Sequence, residues 1–228
     1  SVFQTEHFDI YYHQEGEEIA EFAAVSSELA YQDLRREFRF DLSHRIPVIL
    51  YNSHNDFQQT NVIPNMLQEG VGWFTEYLKH RVVVPFQGSY RDFRHVLHHE
   101  LVHAVSMAML YGTGITALIN QAQTGGLPLW FTEGLAVWEQ RRYQPGWGHS
   151  VSPEFLNAYA SEQLRPVSQL NEGFVRPRFP GEVPLSYLLA SLVVERIEDE
   201  HGFGASAAKP RIWIYRSALT SLAAFRMF

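Results

Sequence analysis

The chain has 228 residues, of which 46% are hydrophobic, 14% aromatic and 19% charged, a composition that can bury a core and excludes a disordered chain. Eighteen basic and 25 acidic residues give a net charge of −7, and no Lys/Arg cluster is available to follow a phosphate backbone, so nucleic acid is not an expected partner. The absence of Cys excludes disulfides and thiolate metal sites, and charge interrupts every apolar run before the roughly 18 residues of a transmembrane segment.

The opening Ser1-Val2-Phe3-Gln4-Thr5-Glu6 has neither an initiator Met nor a basic-then-apolar leader, and says nothing about compartment. His7 to Tyr12 alternates and is aromatic, which predicts a first strand. From Glu15 to Phe40, apolar residues at Ile19, Phe22, Ala23, Leu29, Ala30, Leu34 and Phe38 predict a long amphipathic helix. Ile46 to Tyr51 is continuously apolar, as expected of a strand covered on both faces. Asn52 to Asn65 reads as a loop with a short helix. Gly70 to Tyr77 and Arg81 to Phe86 read as an antiparallel pair, with Pro85 placing the second strand, or its end, at a sheet edge.

Asp92 or Ser89 can cap the next helix, which runs to about Tyr111 before Gly112-Thr113-Gly114. A helical piece at Ile115 to Gln123 precedes a nearly apolar stretch, Leu127 to Trp138, expected to be a buried helix. Arg141 to Gly181 is rich in Pro, Gly and aromatics and reads as loops walling a cleft, with a short helix from Pro153 to Gln163. Leu185 to Glu200 predicts an amphipathic helix with Leu188, Leu189, Leu192, Val193 and Ile197 inside. Lys209 to Leu219 and Ser221 to Phe228 read as one or two closing helices.

The helix ahead of Tyr111 carries His99-Glu100-Leu101-Val102-His103, an HExxH pattern. Residues i and i+4 share a helix face, so the two imidazoles can aim at one point, which suits zinc. Glu100 would then be a base for water and not a ligand. The competing reading is a His-rich helix, with His95 and His98 also present, solvated on one face. Downstream, Glu133 is a carboxylate in an apolar run. Burying a carboxylate without compensation costs several kcal/mol or raises its pKa, and a dication removes that conflict. A carboxylate at a helix end that reaches water is the alternative. The positions after His103 hold Ser106 and Met109 where the longer HExxHxxGxxH motif needs Gly and His, which excludes the metzincin layout.

HHELVH followed by LPLWFTEGLAVW resembles the gluzincin zinc metallopeptidases, and more closely the bacterial peptidase MA-like family, over roughly Phe8 to the C-terminus. The resemblance implies an α+β, zincin-like fold in a single domain, 1–228. Its α/β upper part, 1–112, would hold a mixed sheet whose edge strand lies above the HExxH helix; its lower part, 113–228, would be mainly helical. It implies one Zn²⁺ held by His99, His103 and Glu133, Glu100 as general base, and Tyr187 donating a hydrogen bond to the oxyanion. An extended peptide or protein substrate would lie along Val82, Val83 and Val84. The chain departs from the family at Val137, where many gluzincins carry a carboxylate that orients a ligand His.

The function so implied is zinc-dependent hydrolysis of peptide bonds, with endopeptidase favoured because no motif for holding a free terminus is recognisable. The alternative is a catalytically weak or inactive zinc-bearing binding domain of a larger envelope protein. Similar domains precede TolB-like β-propeller repeats, so the resemblance also implies a periplasmic or envelope location and a possible C-terminal propeller.

Overall fold

In the computed structural model, residues 1–13, 15–51, 81–112 and 127–201 are described. They form a small mixed four-stranded sheet and are otherwise mainly helical, an α+β composition. The chain divides into two compact units, Ser1–Gly125 and Gly126–Phe228. The expected elements at 52–65, 70–77, 115–123 and 209–228 lie outside the described residues.

In the first unit the strands stand in the order β1 (Val2–Gln4), β2 (Phe8–Tyr11), β3 (Ile46–Tyr51), β4 (Val82–Pro85). β1 is antiparallel to β2, whereas β2 with β3 and β3 with β4 are parallel. Nothing in the sequence announced β1, because all three of its residues are exposed and show no alternation. β3 corrects the expectation of burial on both faces. Ile46, Val48 and Leu50 are buried while Pro47, Ile49 and Tyr51 are half-buried, so only one face is fully covered.

Helix α1 (Glu17–Phe38) links β2 to β3 and packs on β2. Its acidic first turn, Glu17 and Glu18, and basic last turn, Arg35 and Arg36, complement the helix dipole. The buried stripe is mostly small, Ala20, Ala23, Ala24, Ser27 and Ala30, with Tyr31, Leu34 and Phe38 completing it; Leu29, expected inside, is exposed. Small side chains let the helix approach the sheet closely, and Tyr31 anchors its far end by accepting a 2.7 Å hydrogen bond from the Leu42 N–H. Three residues before Tyr31 on the helix, Glu28 holds the residue that leads into β2: His7 Nδ1 lies 2.8 Å from Glu28 Oε2, and the His7 N–H donates to Glu28 Oε1 at 2.9 Å. α1 also packs against α2 (Tyr90–Tyr111), the HExxH helix, which in turn packs on β4.

In the second unit α3 (Leu129–Tyr143) lies against α6 (Glu182–His201). The approach is close because residue 134 is Gly: a Cβ there would stand 2.6 Å from the Ala190 carbonyl oxygen. Between these helices come α4 (Pro153–Ala160), a 3-10 turn at Val167–Gln169 and α5 (Leu170–Val175). The expectation of loops from Arg141 to Gly181, apart from a short helix at α4, is thus corrected at α5. That helix is six residues long and contains Gly173, which lies in the stretch read as loops; a Cβ there would overlap the Ser186 hydroxyl on α6, which would have to turn away.

An ionic cluster built on the buried Arg165 and Glu182, with the exposed Glu172 and Arg178 at its rim, ties the 165–182 segment to the start of α6. Arg165 Nε donates to Glu182 Oε1 at 2.9 Å, its Nη1 to Glu172 Oε2 at 2.8 Å and its Nη2 to the Arg176 carbonyl at 3.0 Å. Arg178 Nε also donates to Glu182 Oε1, at 2.8 Å. Burial pushes the Glu182 carboxyl up, but the hydrogen bonds from Arg178 and Arg165 and the Arg165 charge outweigh it and hold the carboxyl below its usual range. With every polar atom of the Arg165 fork engaged, the cluster fixes the segment in one conformation.

Candidate metal centre

α2 starts where Ser89, and not Asp92, takes the cap: the Ser89 side chain accepts from the Asp92 N–H at 3.2 Å. It ends where Gly112, at φ +83°, donates its N–H to Ala108 O. Leu97, Leu101, Val102 and Val105 are almost completely buried, as expected of a core helix. His98 is also buried at 1% exposure and His103 at 1%, which answers the idea of a His-rich helix solvated on one face. His99 is half-buried and Glu100 buried at 7%.

The spacing of four residues brings His99 Nε2 and His103 Nε2 to 3.1 Å, with the rings 4.8 Å apart and nearly perpendicular. Two nitrogens each about 2.05 Å from one tetrahedral zinc ion would stand about 3.3 Å apart. The pair therefore holds close to the separation that one shared ion imposes. Glu100 follows His99 by 100° around the helix, so it stands on the face of α2 next to the one that the two imidazoles share.

Glu133 sits in the first turns of α3, buried at 6% among Trp130, Phe131, Leu135 and Ala136. α3 begins after Pro128, and Asn171 Oδ1 accepts from the Trp130 N–H at 2.8 Å, so its first turn is held by a side chain of α5. A metal ion could be held by His99, His103 and Glu133: each offers one ligand atom, and the three atoms lie within 4.8 Å of one another.

Val137, one helical turn after Glu133, is buried at 2% exposure against Gly148, whose Cβ would fall 3.2 Å from Val137 Cγ1. Glu139 is fully buried and its Oε2 accepts from Arg142 Nη2 at 2.7 Å, so an arginine engages it. Asp92 is exposed in the first turn of α2, seven residues and about 10 Å of helix rise before His99.

Tyr187 lies half-buried on α6, its ring stacked on His149 at 5.3 Å and 19° and edge-on to Phe174 at 4.9 Å. His149 was passed over in the sequence because it stands in a Pro/Gly/aromatic stretch with no periodicity; only folding brings it onto Tyr187. Val82, Val83 and Val84 are buried along β4, which pairs with β3 on one side and has no strand on its other side among the described residues. Tyr51 stands opposite Pro85 in that register, so the proline falls at the end of the sheet's last described strand.

No family model, no curated protein and no solved structure matches this chain. Among the described residues no helix is long and apolar enough to cross a membrane.

Proposed function

We propose that the chain is a zinc-dependent peptidase of gluzincin type, acting on peptide or protein substrates. The observation that supports it most directly is the His99 and His103 Nε2 pair, 3.1 Å apart on a buried helix that also carries Glu100. Neutral imidazoles and a carboxylate are a donor set suited to Zn²⁺, and His99, His103 and Glu133 would hold the ion. Zinc, when bound there, acidifies water and polarises a carbonyl.

The chain's own residues then do the following. Glu100 accepts the proton of the attacking water at its carboxylate and delivers it to the departing amine. The low exposure of Glu100, 7%, keeps bulk water from competing for that proton. The Tyr187 hydroxyl donates a hydrogen bond to the developing oxyanion. An extended substrate lies along Val82 to Val84 of β4, the last strand of the sheet among the described residues, and adds one more strand beside it. The envelope location and the C-terminal propeller that accompany the family are part of the same reading.

A second reading, a zinc-bearing binding domain with little activity, draws on Val137: a buried valine occupies the position from which a carboxylate would orient a ligand His. Metal analysis separates the first step from the second. Purified protein dialysed against a weak chelator should retain about one zinc per chain and lose it on Glu133→Ala. Hydrolysis of a fluorogenic casein should then follow zinc content and fall by orders of magnitude in Glu100→Gln with zinc still bound. Full zinc occupancy with no hydrolysis by the unmodified protein would give the field to the binding domain.

A further inference from the structure

The second unit contains a cavity of about 690 Å³ between the 148–163 segment and the start of α6. Its inner wall is apolar, formed by Leu188 and Ala158, both buried, with Leu185 and Phe179 half-buried beside them. Its mouth is polar, with Glu154, Asn157 and Gln163 exposed. Among the described residues Glu154 is the one carboxylate on the lining, and no described Lys or Arg lines it. The volume lies in the range of ligand sites and leaves room for a long side chain.

Geometry inside this unit connects the cavity to the site proposed above. Leu185 and Leu188 flank Tyr187 on α6, and His149, another lining residue, stacks on the Tyr187 ring. α6 meets α3 at the Gly134–Ala190 approach, three residues and about 4.5 Å of helix rise from Tyr187. The cavity wall thus ends within about one helical turn of the place on α3 that carries Glu133.

The charge pattern selects the ligand. The first turn of α4 would ordinarily attract an anion, but the Ser152 Oγ accepts from the Phe155 N–H at 3.2 Å, and Glu154 already places its own carboxylate there. Hydrogen bonding to Ser152 and to its own backbone keeps that carboxyl below its usual range. An apolar wall below a rim that carries a fixed negative charge matches a side chain that lays a long methylene stem on the wall and turns its cationic head back to the rim.

We propose that this cavity is a substrate subsite for a lysine or arginine side chain, with the stem against Leu185, Leu188 and Phe179 and the head group facing Glu154. As a substrate preference it rests on the peptidase reading, but binding can be measured without turnover. Fluorescein-labelled Ala-Ala-Xaa-Ala-Ala peptides, with Xaa lysine, norleucine or glutamate, are titrated by anisotropy into zinc-supplemented Glu100→Gln protein at low salt. The lysine peptide should bind about fivefold more tightly than the norleucine peptide, a difference set by the head group alone, and salt should reduce it because Glu154 is exposed.

Adding Glu154→Lys should reverse the order so that the glutamate peptide binds best, and Asn157→Trp, which narrows the mouth, should weaken all three peptides. Equal binding of lysine and glutamate peptides, a preference that survives Glu154→Lys, or no measurable binding overturns the subsite. A lysine preference that reverses with Glu154→Lys, in a protein whose Glu100 form cleaves none of the three, upholds the subsite and refutes the peptidase.

Discussion

Gly134→Ala tests the packing that sets Glu133 in place. An alanine in a helix is ordinarily worth about 0.8–1 kcal/mol over glycine, so propensity alone predicts stabilisation. Against this, the added methyl carbon would stand 2.6 Å from the Ala190 carbonyl oxygen and 2.7 Å from its carbon, well inside contact. Both are backbone atoms of α6 and cannot rotate away, so α3 and α6 would have to separate by roughly 0.6–0.8 Å to reach ordinary contact.

Overpacking of this kind costs about 1–3 kcal/mol, and a backbone obstacle places it at the upper end. The net expectation is destabilisation by about 1–2 kcal/mol, a fall in Tm of roughly 4–16 °C for a unit of this size. Thermal denaturation followed by far-UV circular dichroism measures it, alongside zinc content, which should also drop because Glu133 precedes the displaced residue. A Tm equal to or above that of the unmodified chain would show that the two helices do not approach as described and that propensity decides.

Zinc should raise the Tm of the chelator-treated protein and leave that of Glu133→Ala unchanged, since a ligand stabilises in proportion to its binding to the folded state; differential scanning fluorimetry with and without zinc checks it. Arg165→Met should cost about 1–3 kcal/mol in urea denaturation, because it removes the buried partner of Glu182, 3% exposed, while Arg178 still engages that carboxylate. The acid limb follows from the same carboxylate. Glu182 titrates lower in the folded chain than in the unfolded one, so its contribution is complete above the unfolded value near 4.5 and is lost as pH falls through the lowered folded value. Stability measured from pH 6 to pH 3 should therefore decline, and decline less steeply in Arg165→Met. Glu28 acts with the same sign: burial raises its carboxyl, but hydrogen bonds from Thr5 and His7 bring it below the ordinary value, so Glu28→Gln should also flatten the acid limb.

The sequence alone determined whatever depends on neighbours a few residues apart. Helical spacing of four residues is enough to bring His99 and His103 to one point, and Ser89 and Gly112 bracket that helix by local capping chemistry. The extents of α1, β3 and α6 were legible for the same reason, as periodicity and turn residues act within a few positions. Burial of Glu133 was also legible, since nearly every residue around it is apolar.

Tertiary structure decided what depends on the facing element. The apolar run of β3 could not say which of its faces is covered, and Leu29 of α1 looked like core until the small residues Ala23, Ala24 and Ser27 took the sheet side. Gly134 sits inside a stretch read as helix and Gly173 inside one read as loop, and both are contact points with α6, because the meaning of a missing Cβ depends on the helix opposite. The Arg165–Glu182 cluster and the His149–Tyr187 stack join residues 17 and 38 positions apart through side chains whose types carry no positional signal, so only the folded chain could bring them together.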